Sequence, residues 1–260
     1  MIETPLDVAH AAMMAAPDDD ALRLRFYERL ADNELFLLLE EDAVGDNIRP
    51  RVFPLEDGPV VLVFDREDRL TGFAAGSVPF AAMSGRVVVE LLDGQGLDLG
   101  VNLDVAPSAI VIPAAALTWL NLTLGHVPAE VSETPEEIDA PTGLPEQLLT
   151  GLDTKLATAG GLAQLAYLCA MRYASGRRTH LLAFIDPVPG AEPALARAAG
   201  QALTFSGVEA GEMDVAFFRA NDPVAAKLSR VGLRFDLPKA EPVQKSAGPG
   251  MDPQQPPNLR

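Results

Sequence analysis

Side chains that attack carbonyls keep characteristic neighbours, and this chain lacks them. Ser84 precedes Gly85 but follows Ala82 at two residues' distance, and Ser206 sits in Thr204, Phe205, Ser206, Gly207, so neither serine forms a G-x-S-x-G elbow. Cys169 lies between Leu168 and Ala170 in an apolar run. A thiol there is expected to be an inert core group, because reactivity needs exposure and a lowered pKa. His10, His126 and His180 fall in distant segments, and no H-x-x-x-H pair puts two metal ligands on one helix face. His10 is expected on the outer face of the first helix, His126 in a connection and His180 at a strand start. Gly94, Gly96 and Gly100 precede a strand instead of opening a helix, so they offer no helix N-terminus to a phosphate. A calcium loop from Asp93 fails because Gln95 and Leu97 hold ligand positions and Asp98 stands where the glycine belongs. No catalytic residue, metal or cofactor is therefore expected.

What remains is charge. Over 260 residues, 20 Lys plus Arg oppose 37 Asp plus Glu, a formal balance of −17. From Val87 to Thr154 there is no lysine or arginine, while Glu90, Asp93, Asp98, Asp104, Glu130, Glu133, Glu136, Glu137, Asp139, Glu146 and Asp153 supply −11 of the −17. Such a field repels phosphate backbones and anionic headgroups, which excludes nucleic acid and membrane surfaces as default partners and favours a basic protein. Asp98, Asn102 and Asp104, expected on an exposed strand face, with Glu133, Glu136 and Glu137, are the candidate partner-binding residues. The plain alternative is a wetted surface that maintains solubility. The lone cysteine cannot close an internal disulfide, the amino end lacks a secretory signal pattern, and the longest apolar stretch is broken by Pro113. A cytoplasmic address is expected.

These residues must be positioned by elements that periodicity makes legible. Thr4 with Pro5 opens a helix to about Ala16. Asp18, Asp19 and Asp20 open a second, in which Leu22, Phe26 and Leu30 share one face and Arg23, Glu28 and Arg29 point outward. Glu34 to Glu40, Arg49 to Leu55 and Pro59 to Phe64 read as strands. A short helix capped by Asp65, a strand at Phe80 to Met83 and a helix at Gly85 to Leu92 follow. Leu97 to Leu103 alternates as a half-buried strand, Ala109 to Pro113 makes another, and Ala114 to Leu122 a closing helix. Beyond residue 125, Val127, Ala129 and Val131 alternate as a strand. Leu148, Leu152 and Leu156 mark a helix, and Leu162 to Tyr173 and Thr179 to Ile185 form a hairpin across Ser175 and Gly176. Ala191 to Phe205 is a helix, Met213 to Phe218 a strand, and Asp222 caps a last helix. The expected class is α+β in two domains. Residues 1–124 form a helix-led mixed sheet, and 125–238 a ferredoxin-like βαββαβ unit with one added helix. Residues 239–260, with five prolines, form a disordered tail.

Thr4, Pro5, Leu6 and Asp7, then Phe26 to Leu30 and the strand behind them, resemble the amino-terminal domain of the SseB-type enhanced serine sensitivity family. So do Pro59 to Phe64, Pro79 to Gly85, Leu99 to Asn102 and Ile110 to Pro113. The later segment is similar, more weakly, to the family's carboxy-terminal domain. After Asn102 this chain carries Leu103 where the family has proline. The resemblance implies no catalytic residues, and its name implies a link to serine or amino-acid metabolism. Three functional readings follow. The first is a non-enzymatic adaptor whose acidic surface meets a protein partner. The second is a small-metabolite sensor that binds an amino acid where the βαββαβ domain pairs with its copy as a homodimer. The third is an enzyme using Glu40, Glu41 and Asp42 as carboxylates.

Overall fold

A computed structural model of the chain describes residues 3–43, 45, 47–55, 58–125, 135–206 and 213–239. α1 (Pro5–Ala15) begins as the sequence predicts: the Thr4 hydroxyl accepts from the Asp7 amide while the Asp7 carboxylate accepts from the Thr4 amide. α2 (Asp20–Asp32) starts at Asp19, whose carboxylate accepts from the Ala21 and Leu22 amides at 2.9 and 3.3 Å. The aspartate run is a cap. The first sheet comprises β1 (Glu34–Leu38), β2 (Val52–Leu55), β3 (Gly58–Phe64), β4 (Phe80–Ser84), β5 (Asp98–Val101) and β6 (Ile110–Ile112). Its order is β4-β1-β3-β5-β6, with β2 also pairing β3, and only β3 and β5 run parallel.

Strand alternation divides this sheet's two faces. Leu35, Leu37, Val61, Val63, Leu99 and Val101 pack under α1, α2, α4 (Gly85–Leu92) and α5 (Ala114–Gly125). Phe36, Val60, Leu62 and Phe64 turn the other way, onto Leu70 and Phe73 of α3 (Glu67–Ala74). Two local expectations fail here. α3 starts at Glu67 without a side-chain cap, because the Asp65 carboxylate is bonded to Thr4 and Arg69 instead. His10 is buried edge-on against Phe26, with ring centroids 5.7 Å apart, and does not sit on an outer face.

The second unit contains β7 (Pro135–Asp139), α6 (Glu146–Thr158), β8 (Leu165–Tyr173), β9 (Arg178–Ile185), α7 (Glu192–Phe205), β10 (Met213–Phe218), α8 (Pro223–Val231) and β11 (Leu233–Asp236). The α+β class with two domains holds. The strand proposed at Val127 to Val131 and the tail from 240 onward lie outside the described residues.

The βαββαβ succession is present, but its sheet is not ferredoxin-like. Parallel β9 and β10 are direct neighbours joined through α7, the order is β10-β9-β8-β11, and β7 pairs antiparallel with β8. A ferredoxin-like order would insert a strand into that crossover and put β7 in the middle. β7 cannot serve there: Glu136, Glu137 and Asp139 are exposed and only Ile138 among its described side chains is buried. The apolar β8 and β9 take the centre, between α6 and α7 on one face and α8 on the other. Cys169 lies inside β8, and burial pushes its thiol up to about 11.

The two units touch through α2 and the end of α5. Phe205 of α7 joins the first core, and Gln201 donates to the Leu124 carbonyl at 2.9 Å. The Lys155 ammonium, on a side chain only 4% exposed, reaches Asp32 at 2.6 Å and Glu28 at 3.5 Å. Glu28 is therefore buried at the contact, contrary to its expected outward position. Burial pushes the Glu28 carboxyl above its ordinary range against the pull of Lys155. Lys155→Met should cost about 3 kcal/mol, because it strands buried carboxylates. Urea unfolding should show that deficit narrowing as acid protonates Glu28 and Asp32. Gly85 sits where an added Cβ would lie 1.9 Å from the Leu30 carbonyl oxygen. Gly85→Ala should therefore push α4 off α2 and lower stability by about 1–3 kcal/mol, read as an earlier denaturation midpoint at unchanged slope.

Candidate functional site

The densest polar assembly is buried beneath α1. Arg69, 4% exposed, sends one guanidinium nitrogen to the Asp7 carboxylate at 3.0 Å and to Asp65 at 2.8 Å, and a second nitrogen to Asp7. The Thr4 hydroxyl donates to the other Asp65 oxygen at 2.6 Å. Ser108 donates its hydroxyl proton to Asp7 and accepts from the Asn102 amide nitrogen at 2.9 Å, while the Asn102 oxygen accepts from the Asp65 backbone at 3.0 Å. Burial alone would raise the Asp7 carboxyl. Hydrogen bonds from Arg69 and Ser108 outweigh it and hold Asp7 far below the usual carboxylate range. Burial also lowers the neighbouring His10 pKa, against the opposing charge of Asp7. Ser108 is fully buried, and the Asp7 carboxylate that accepts its proton is bound to Arg69 and held too weakly basic to take that proton. The assembly is scaffolding.

This network claims one candidate residue. Asn102 is fully buried with its side-chain amide committed, so it lies on no exposed strand face and cannot meet a partner. β5 ends at Val101, and Asn102 and Asp104 both take left-handed backbone, φ 50° and 61°, in the turn beyond it. Asp104 is exposed at that turn. Asp98 is half-buried at the other end of β5, where its carboxylate accepts from the Ala114 amide at 2.8 Å and anchors the start of α5. Glu136 and Glu137 lie on the edge strand of the second sheet, bridged by Arg172 at 3.1 and 2.7 Å. Glu133 lies outside the described residues. The candidates are thus divided between two sheets, and an arginine from β8 already answers two of them.

Charge placement around them is more informative than the six residues themselves. Arg86 and Lys155 bracket the cation-free stretch. Both turn to the same place: Arg86 bonds Asp32, and Lys155 bonds Asp32 and Glu28. The nearest cations are consumed at the contact between units, while Glu90, Asp104, Asp139, Glu146 and Asp153 stay exposed. Among the described residues no salt bridge reaches those five. Glu40, Glu41 and Asp42 are also exposed, with Arg49 at 3.9 Å from Glu40 and 3.2 Å from Glu41, which fits solvated loop acids. No group of three His, Cys, Asp or Glu among the described residues is arranged to hold a metal. No described helix is long and apolar enough to cross a membrane.

Sequence reasoning missed Asp7, Arg69 and Ser108 as partners, and missed Lys155. The available signal was a cation on a buried helix stripe: Arg69 stands four residues before Phe73, and Lys155 three after Leu152.

The first unit is thus a mixed sheet under four helices, pinned by an internal ion network. A family model described as SseB protein N-terminal domain matches residues 9–119. The resemblance to the SseB-type family's amino-terminal domain holds over that stretch. Nothing among curated proteins or solved structures matches the chain.

Asp7→Asn should lower stability by about 3 kcal/mol at neutral pH. The folded carboxyl titrates below its unfolded value of about 3.9, so its contribution is complete above that pH and fades as pH falls toward the folded pKa. The gap between wild type and variant should be flat from pH 5 to 8 and close below about 4, as followed by thermal melts.

Proposed function

We propose that this protein is a non-enzymatic cytoplasmic adaptor that offers an acidic surface to a basic protein partner. One observation carries the reading. Over Val87 to Thr154 the chain has no lysine or arginine, and the bracketing cations Arg86 and Lys155 turn onto α2. Glu90, Asp104, Asp139, Glu146 and Asp153 are therefore left exposed without a cation bridge among the described residues. A field of one sign steers encounter and raises association rates at low salt, and a Debye length of about 8 Å at physiological ionic strength limits its reach. Glu136 and Glu137 contribute less, since Arg172 offsets them.

The test replaces Glu90, Asp104, Asp139, Glu146 and Asp153 by their amides, all exposed positions where folding should be unaffected. A partner isolated on the wild-type protein from its source cell is purified, and its association rate is measured across salt. The wild-type rate should fall by roughly a decade between low and high salt, and the amide variant should lose most of that dependence. Identical rates and salt slopes for the two proteins would refute the proposal.

A further inference from the structure

α5 carries no charged residue, and its only polar side chains are Thr118, Asn121 and Thr123. A helix so nearly apolar usually buries most of its surface. Among the described residues one side of α5 is buried, at Leu117, Leu120 and Leu124. On the other side Trp119 is 41% and Leu122 70% exposed, and the neighbouring α4 turns out Val87 and Leu91, 41% and 42% exposed. The Trp119 ring is not loose there: it meets Tyr27 of α2 edge-on at 5.5 Å between centroids. Tryptophan held in place at an exposed apolar position is the side-chain type that dominates protein interfaces.

Charge identifies the occupant. Glu90 is exposed on α4 beside Val87 and Leu91, Asp93 bonds Asn121 at the flank of α5, and Arg23, the cation acting on Tyr27, is already paired with Asp20. A second copy of the chain would set Glu90 against Glu90, within a molecule whose overall formal balance is already −17. In sequence, residues 240–260 place Pro249, Pro253, Pro256 and Pro257 among the larger apolar residues Val243, Met251 and Leu259, a pattern without an apolar helical stripe. We propose that the outward face of α5 and α4 docks an amphipathic, lysine- or arginine-bearing helix of a partner protein, with Trp119 and Leu122 against its apolar stripe and Glu90 against its cations. This deepens the acidic-adaptor reading and rests on it.

Trp119 is the chain's sole tryptophan, so its emission reports this face alone. The full chain is titrated with a helical leucine–lysine peptide bearing an apolar stripe, with the same residues scrambled to remove the stripe, and with a leucine–glutamate version. The striped cationic peptide should shift Trp119 emission saturably. Leu122→Asp, at so exposed a site, should fold normally and bind it at least roughly tenfold more weakly. The other two peptides should leave the emission unchanged. Equal affinity of Leu122→Asp for the striped peptide, or an emission shift with the leucine–glutamate peptide, overturns the proposal. So does self-association in sedimentation that Leu122→Asp abolishes, which would assign the face to a second copy. Equal binding of striped and scrambled cationic peptides removes the docked helix but leaves the acidic surface standing. Binding of neither removes both.

Discussion

A guanidinium cannot shed its proton, so an arginine held away from water must be surrounded by anions and acceptors. Arg69 imposes that condition on the first domain. Its two carboxylates come from α1 and from the end of β3, and the remaining valences of Asp7 and Asp65 are met by Thr4, Ser108 and the Asn102 turn. Three separated stretches of chain, 4–7, 65–69 and 102–108, are thereby fixed at one point. Removing any one leaves charge or hydrogen-bonding capacity buried without an answer, which costs more than any single bond contributes. The left-handed backbone at Asn102 follows from the same demand. The asparagine must present its oxygen to Asp65 and its amide nitrogen to Ser108, and it tolerates that conformation better than most side chains. The turn needs no proline after it, and Leu103 packs with the Phe64 and Leu70 cluster instead.

A second buried cation does for the pair of domains what Arg69 does within one. Lys155 leaves α6 and ends between Glu28 and Asp32 of α2, where Arg86 also arrives. Burial raises both carboxyls. The cations prevail at Asp32, which is lowered, and fall short at Glu28, which stays raised. The difference matches geometry: Asp32 has Lys155 at 2.6 Å and a bonded Arg86, whereas Glu28 has the ammonium at 3.5 Å. One consequence reaches the surface. Cations that bracket the acidic stretch in sequence are withdrawn from it in space, so structural use of Arg86 and Lys155 sharpens the exterior field.

Elements with strict periods were legible from residue order. The alternation of β3 and β5, the four-residue stripe of α6 and the caps at Thr4 and Asp19 all report local geometry, which the chain encodes within a few residues. What escaped was decided by distant partners. Glu28 follows Phe26 on a face that looks polar, and only the approach of α6 buries it. His10 reads as solvent-facing until Phe26 closes over it. Asn102 continues the polar half of an alternating pattern, yet the strand has ended and the turn carries it inward. β11 is four residues long and shows its alternation only once, at Phe235, so pattern alone could not separate it from a loop. Sheet order escaped for a different reason. Succession of elements fixes which strands exist, and relative apolarity decides which become central, a comparison of β7 with β8 and β9 that the βαββαβ pattern omits.

α5 joins these threads. Its start is held by Asp98, its flank by the bond from Asn121 to Asp93 at 2.9 Å, and its end by Gln201 on the Leu124 carbonyl. Two of the acids in the stretch, Asp93 and Asp98, are thus spent positioning the helix, while Glu90 remains free of such duty. A helix tethered at its start, flank and end presents its outward residues in a fixed arrangement, which limits the entropy lost when something binds them. Exposed apolar area alone would be a solubility liability at this position. Glu90 on α4 and Asp93 at the flank of α5 put negative charge beside it. In the proposed docking role, apolar contact and electrostatics would select the same partner chemistry, apolar surface supplying most of the binding energy and the neighbouring acids choosing which apolar surface arrives.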